Sequence, residues 1–199
     1  VGGMGPLAGC EFYRMLIEAT PADCDQEHFD VLLSGYASIP DRTLAVESGE
    51  YAPLLAAIGE DLALFEHSGM DLVSIPCNTS HTYYDELQNL TSIPIFNMVK
   101  NAVSELKEKC GDRRVTLFST RGTYISEVYC KYAAAVGLDL RYPTEEDREV
   151  VMKAIYHVKS TQEVRVPWLD PLVGKYTRDS GLVLFACTEL SVLDILSQH

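Results

Sequence analysis

Residues 71–81, DLVSIPCNTSH, have the pattern of a short buried strand that ends at a cysteine and leads into a helix. The apolar run before Cys77 predicts the strand, and the polar residues after it predict the start of the helix. Residues 181–190, GLVLFACTEL, repeat this design and place Cys187 after another apolar run. The two cysteines lie 110 positions apart (187 − 77), about half the chain. This repetition predicts two similar units, each presenting one thiol to a shared cleft.

A cysteine between a strand end and a helix start lies where free backbone N–H groups and the helix dipole favour the thiolate. The same N–H groups can bind the carboxylate of a ligand. Two such thiols on opposite sides of a carbon could remove a proton on one face and return it on the other. The alternative is that Cys77 and Cys187 are small buried hydrophobic residues, as many free cysteines are. Their shared context favours the catalytic interpretation.

Composition and charge limit the classes of partner. The chain has 199 residues, enough for one large or two small domains, and its hydrophobic content of 47% is typical of a globular protein. The net charge of −13, without a basic cluster, argues against nucleic acid and anionic membranes as partners. The sequence has no apolar run of about 18 residues, which a transmembrane helix needs, and its start does not look like a signal peptide.

The six cysteines are scattered along the chain and include no C-x-x-C pair. This spacing argues against a zinc cage and against a disulfide scaffold, and it favours a reducing compartment. The sequence therefore predicts a cytoplasmic protein without a metal site.

Apolar runs and helical periods alternate along the rest of the chain. Strands are predicted over 31–36, 72–75, 93–96, 115–119, 138–142 and 182–185. Helices are predicted over 6–20, 51–69, 83–90, 99–109, 124–136, 144–159 and 190–196, with a loop and a short helix over 160–180. This alternation predicts parallel α/β layers, in which sites form at the carboxyl ends of the strands. Five residues that could carry chemistry fall at such ends: Gly3, Arg42, Cys77, Thr120 and Cys187.

Arg42 is predicted to lie in the loop that follows the strand 31–36. Its planar set of donors suits a carboxylate ligand. The alternative is an exposed arginine paired with Asp41 or Glu47, and the local sequence leaves both interpretations open.

Six motifs in chain order resemble those of the aspartate/glutamate racemase family, the racemases that use no pyridoxal phosphate, and GGMGP with IPDRT resembles the aspartate racemase branch. They are GGMGPLA (2–8), DQEH (25–28), SIPDRT (38–43), PCNTSH (76–81), STRGT (119–123) and ACTEL (186–190). The resemblance implies two similar parallel-sheet α/β domains related by pseudo-twofold symmetry, with the active site in the cleft between them. It also implies a homodimer, an acidic amino acid as substrate and no cofactor. We expect domains over 1–97 and 98–199.

The resemblance assigns roles to nine residues. Cys77 and Cys187 would be the two acid/base thiols of a racemase acting on aspartate, or on glutamate. The substrate would be bound by Met4, Arg42, Asn78, Thr79, Thr120, Lys159 and Thr188, of which Lys159 is matched by position. Relatives of the family begin with a strand before GGMGP and continue past CTEL with a strand and a helix, so we expect both ends of this chain to lack those elements.

Several alternatives remain open from the sequence. Glu189 could tune the neighbouring thiol, or it could be an acidic residue in a first helical turn that stabilises its helix. His81 is expected to be hydrogen-bonded near the site rather than to act as a base, and Tyr83 and Tyr84 are expected to pack. The rival functions are a racemase or isomerase of the same superfamily with another substrate, and a small-molecule-binding protein without catalysis. A dinucleotide site is disfavoured, because no strand precedes the glycines at 3–8.

Overall fold

The computed structural model of the chain describes residues 1–194, apart from the side chains of residues 179 and 180. In that part of the chain, five strands alternate with ten helices. The strands are β1 (Val73–Ser74), β2 (Ile95–Phe96), β3 (Val115–Ser119), β4 (Leu140–Arg141) and β5 (Leu182–Ala186). The helices are α1 (Pro6–Ala19), α2 (Arg42–Ser48), α3 (Ala52–His67), α4 (Tyr84–Gln88), α5 (Met98–Cys110), α6 (Arg121–Ser126), α7 (Val128–Val136), α8 (Glu145–Thr161), α9 (Asp170–Ser180) and α10 (Thr188–Ser191). Short 3₁₀ turns lie at Asp25–Glu27, Thr79–Tyr83 and Pro167–Leu169.

The strands form two parallel sheets, as the alternating pattern predicted. One sheet pairs β1 with β2, with Val73 opposite Ile95. The other has the order β4-β3-β5, with Val115 opposite both Leu140 and Leu182. Strand β1 is followed by Cys77, and β5 is followed directly by Cys187. The α/β fold with parallel sheets is therefore confirmed, and each cysteine follows the carboxyl end of a strand.

Three apolar clusters form the core. The first joins residues between 1 and 95, among them Leu54, Ile58 and Ile75. The other two lie on opposite faces of the β4-β3-β5 sheet, because successive residues of a strand point to opposite sides. Phe118 belongs to the cluster with α8 and α9, while its neighbour Leu117 belongs to the cluster with α5 and α7. The expected domain boundary at 97/98 stays a prediction.

The predicted strand over 31–36 is wrong. Gly2 N–H donates to Ser34 O over 2.6 Å, but no sheet ladder forms along this segment in the described part of the chain. Residues 1–2 lie between it and β1, since the Val1 amino group donates to Ser74 O over 2.8 Å. The hydrogen bond to Gly2 does not continue into a ladder, so the segment has no strand partner in the described part of the chain. Leu32 and Leu33 are consequently about two-fifths exposed, at 40% and 42%.

Two helical predictions also need correction. Arg42 does not lie in a loop but begins α2, whose amino end is capped by the Asp41 carboxylate accepting from Leu44 N–H over 2.9 Å. The helix predicted over 124–136 is two helices, α6 and α7, separated at Glu127, which has a left-handed φ of 53°. Residues 195 and 196 of the last predicted helix lie outside the described part of the chain.

Among residues 1–194, none of the helices is both long and apolar enough to cross a membrane.

Candidate active site

A small cavity of about 30 Å³ lies where the loops after the strands meet. It is lined by both cysteines and by all seven residues expected to bind substrate, so the structure brings the nine residues together: Met4, Arg42, Cys77, Asn78, Thr79, Thr120, Lys159, Cys187 and Thr188. Six further residues line it: Asp41, Thr43, Met152, Ile155, Tyr156 and Glu189. The lining comes from both halves of the chain, with α8 closing one side. The cavity therefore lies in a cleft between two α/β units.

The Cys187 thiol is part of a buried polar chain with Glu189 and Lys159. Its Sγ–H donates to Glu189 Oε2 over 2.9 Å, and Lys159 Nζ donates to Glu189 Oε1 over 2.5 Å. Burial and the Glu189 carboxylate raise the pKa of Cys187 well above its ordinary value, although Lys159 opposes them. Cys187 is therefore a protonated thiol at neutral pH, able to donate a proton.

Lys159 stays charged in this chain of contacts. Burial is the largest single influence and lowers the pKa of Lys159, but the charge and hydrogen bond of Glu189, together with Cys187, outweigh it, and the pKa lies above its ordinary value. The ammonium and the carboxylate thus form an ion pair beside the thiol. Gly5 lies against this pair, because a Cβ there would be 3.0 Å from Glu189 Oε1. Glu189 is therefore more than a residue that stabilises the start of α10.

His81 fixes the backbone of the other cysteine loop. Its Nδ1 lies 2.9 Å from Cys77 O, and the Met98 N–H donates to its Nε2 over 3.3 Å. Since Nε2 accepts, the ring proton is assigned to Nδ1, which donates to the Cys77 carbonyl. Burial lowers the pKa of His81, although the carbonyls of Cys77 and Phe96 oppose the shift. His81 is thus a neutral, hydrogen-bonded residue near the site, as the sequence suggested.

Asn78 and the threonine hydroxyls are held by contacts between the two halves. Tyr129, on α7, donates its hydroxyl to Asn78 Oδ1 over 2.5 Å. Thr79 Oγ1 lies 2.9 Å from Thr120 Oγ1 and 3.1 Å from Thr123 Oγ1. These contacts join the 3₁₀ turn after Cys77 to the start of α6. The polar lining of the cavity is therefore preorganised.

Arg42 is half-buried and is directed at carbonyl groups, not at Asp41 or Glu47. Its Nη1 donates to Ile39 O and Pro40 O, over 3.3 Å and 3.1 Å, and its Nη2 donates to Met4 O over 3.3 Å. These bonds hold the guanidinium at the edge of the cavity and use part of its donors. The remaining donors are available to a ligand.

An exposed arginine spans the two halves near the cavity. Arg121, at the start of α6, pairs with Glu149 of α8 over 2.8 Å and with Glu47 of α2 over 3.4 Å. The Glu47 contact crosses between the halves, so any widening of the cleft must lengthen it.

The chain matches the family model described as Asp/Glu/Hydantoin racemase over residues 1–198. It belongs to that racemase family. In sequence it is 24% identical over 203 residues to the broad specificity amino-acid racemase RacX of Bacillus subtilis (strain 168), covering 98% of this chain and 86% of RacX. The matched residues include the six motifs quoted above, which extend from residue 2 to residue 190.

Solved structures of this racemase family have the same fold. The aspartate racemase of Picrophilus torridus superimposes with a TM-score of 0.85 at 30% identity, over 96% of this chain and 80% of that one. An aspartate racemase homologue from Pyrococcus horikoshii OT3 superimposes with a TM-score of 0.72 at 24% identity, over 96% and 84% of the two chains. The suspected family and the two-domain α/β fold are confirmed.

Proposed function

We propose that this racemase interconverts the enantiomers of aspartate, with glutamate as a second substrate, by two-base proton transfer between Cys77 and Cys187. The observation that carries the proposal is the convergence of both thiols with Arg42 and Lys159 on one cavity. Arg42, and Lys159 within its ion pair with Glu189, provide cationic donors on the cavity that suit a substrate with two carboxylates. The similarity to the aspartate racemase of Picrophilus torridus, at 30% identity, supports the same substrate class.

In one direction, the Cys77 thiolate removes the α-proton, so that the C–H bond breaks and its electron pair stays on carbon. The Cys187 thiol then donates its proton to the opposite face of that carbanion. The reaction ends with Cys77 as a thiol and Cys187 as a thiolate, and the reverse reaction exchanges their roles. The raised pKa of Cys187, caused by burial and by Glu189, supports its role as the acid in the resting protein.

The negative charge that develops at the α-carbon spreads into the carboxylate and requires donors. Asn78, Thr79 and Thr188 line the cavity next to the cysteines and supply polar groups for this purpose. The cavity of about 30 Å³ has room for one or two water molecules. An amino acid is several times larger, so substrate binding has to widen the cleft.

The test is proton NMR of L-aspartate and L-glutamate in deuterated water, without added cofactor. Loss of the α-proton signal together with appearance of the D-enantiomer is expected. Cys77→Ala and Cys187→Ala should each reduce racemisation by at least about a hundredfold, since a positioned acid or base contributes that much or more. Cys10→Ala, at an exposed cysteine, serves as the control. Intact racemisation in either cavity variant would contradict the two-base mechanism.

A second candidate is racemisation of a wider set of amino acids, which the similarity to the broad specificity racemase RacX favours. A panel containing alanine, lysine, arginine and a substituted hydantoin separates the two, because Arg42 and Lys159 should exclude cationic side chains. Binding of aspartate without α-proton exchange would instead indicate a non-catalytic binding protein. Assembly as a homodimer and a cytoplasmic location stay predictions; sedimentation of the purified protein tests the first.

A further inference from the structure

We propose that Tyr129 is a positioning residue, which orients the Asn78 side-chain amide so that its NH₂ group faces the substrate carboxylate. The inference rests on the proposed function, because it assigns to Asn78 a carboxylate ligand. Tyr129 itself does not line the cavity; it acts through Asn78.

The hydrogen bond between these residues has a defined direction. Burial raises the pKa of Tyr129, so its hydroxyl is protonated and can donate. The acceptor is Asn78 Oδ1, at a separation of 2.5 Å, the short limit of O–H···O bonds. A phenol donating to the carbonyl oxygen of an amide leaves the two N–H donors of that amide free for another partner.

Both side chains are buried beside the cavity, so the direction of this hydrogen bond decides which end of the Asn78 amide a ligand meets. Tyr129 and Asn78 are 2% and 5% exposed, so water cannot substitute freely for the hydroxyl. Asn78 lines the cavity directly after Cys77. With Oδ1 held by Tyr129, Nδ2 is the end of the amide that is available to the cavity. A carboxylate accepts from N–H groups and is repelled by a carbonyl oxygen, so the opposite amide orientation would oppose binding.

Tyr129 lies in the first turn of α7, directly after the break between α6 and α7. Glu127 adopts a left-handed φ of 53°, and the chain restarts as a helix at Val128. Both Val128 and Tyr129 are buried there, in the cluster that covers one face of the larger sheet. The residue that holds Asn78 thus comes from the other half of the chain, and the orientation of the amide depends on the closed cleft.

The experiment compares Tyr129→Phe with Tyr142→Phe in the aspartate α-proton exchange assay. Tyr142 lies in the same core, and its hydroxyl contacts Cys130 Sγ at 2.9 Å, away from the cavity. Loss of one buried hydrogen bond should raise the KM of Tyr129→Phe about fivefold. Its kcat should also fall, by up to about fivefold, because Asn78 contacts the carboxylate on which charge develops. Tyr142→Phe should match the wild type in both constants.

A double-mutant cycle separates positioning from a general effect on folding. In an Asn78→Ala background, Tyr129→Phe should leave KM unchanged, because the group that it orients is gone. An unchanged KM in the single variant, or the same fivefold increase in both backgrounds, would overturn the inference.

Binding of succinate, followed by NMR titration, repeats the comparison without turnover. If aspartate does not exchange but succinate binds the wild type more tightly than Tyr129→Phe, the positioning role holds and the proposed reaction fails. If the wild type neither turns over aspartate nor binds succinate, both proposals are overturned.

Discussion

Cys187 donates its thiol hydrogen to the buried carboxylate of Glu189 over 2.9 Å, and this contact adds to the effect of burial on the pKa of the thiol. Burial comes first among the causes of the raised pKa, and the Glu189 charge adds to it. In Glu189→Gln that charge is removed while Lys159 remains, so we expect the pKa of Cys187 to fall. Iodoacetamide should then alkylate Cys187 at lower pH. At a fixed pH below the pKa, the rate should rise on the order of tenfold for each pH unit by which the pKa falls.

The alkylation of each cysteine can be followed by mass spectrometry across a pH series. Glu163→Gln, at an exposed carboxylate paired with His157, is the matched control and should reproduce the wild-type profile. A profile for Glu189→Gln that is unchanged, or displaced to higher pH, would show that Glu189 does not hold the thiol protonated.

His81 should make the stability of the protein sensitive to mild acid. Because burial lowers the pKa of His81, the folded state binds fewer protons than the unfolded state between the folded pKa and about 6.5. The free energy of unfolding therefore rises with pH through this window, and this contribution is lost as the pH falls through it. Denaturant unfolding at pH 7.5 and 5.5 measures the loss.

In His81→Gln the difference in unfolding free energy between these two pH values should be smaller than in the wild type. His67→Gln, at an exposed histidine on α3, is the control and should retain the wild-type difference. Equal pH dependence of His81→Gln and the wild type would count against a buried neutral imidazole at this position.

The local pattern predicted the five strands of the fold, but it failed at the segment 31–36, at Glu127 and at α2. Strand β3 is a buried apolar run and β5 a partly buried one, and a parallel sheet accepts both, so the pattern is sufficient there. The run over 31–36 is equally apolar, but a strand also needs a backbone partner, and the partner is set elsewhere in the chain. The left-handed Glu127 breaks a continuous helical pattern, and its neighbours carry no turn signal that would predict this. Helix α2 has seven residues, too few to show a helical period, although its cap Asp41 was a usable signal.

The site was predictable as far as motifs extend. Both cysteines, Asn78, Thr79, Thr120 and Thr188 lie where a strand ends and a helix starts, which the sequence marks, whereas Lys159 lies in the last turn of α8 and was matched by position. The sequence left open whether Glu189 tunes the neighbouring thiol, and it gave no sign of the contribution of Tyr129. Tyr129 contacts a residue 51 positions away, and Glu189 contacts Lys159 at a separation of 30. Such pairs depend on how the two halves pack, which no local period encodes.

Gly122 is required by the close approach of α6 to the first half of the chain. A Cβ at this position would lie 2.9 Å from the Thr43 Cα and 2.9 Å from the Thr79 Cγ2. The Thr43 atom belongs to the backbone, so it cannot move aside cheaply. Gly122→Ala should lower the free energy of unfolding by about 1–3 kcal/mol, as overpacking does. It should also reduce kcat, because Thr79 and Thr120 would separate.

The matched control is Gly59→Ala on α3, where the added Cβ meets Leu90 Cδ1 at an ordinary 3.5 Å. That helical position should be neutral, or more stable by about 0.5–1 kcal/mol. Thermal unfolding and the exchange assay measure both effects. Equal stability of the two variants would mean that the two halves can move apart at Gly122 without lowering the free energy of unfolding.

Arg42 should resist replacement even by lysine, because its guanidinium spans three carbonyl groups while it faces the cavity. An ammonium is a single point with three donors, so it cannot reach Ile39 O, Pro40 O and Met4 O and still bind a ligand carboxylate. Arg42→Lys should raise the KM for aspartate at least about tenfold, since a hydrogen bond to a charged group is worth about 1.5–3 kcal/mol. Arg141→Lys, at an exposed arginine paired with Asp139, is the control. A loss of stability with an unchanged KM would mean that Arg42 only holds the Met4 loop. Binding of the substrate's side-chain carboxylate would then depend on Lys159.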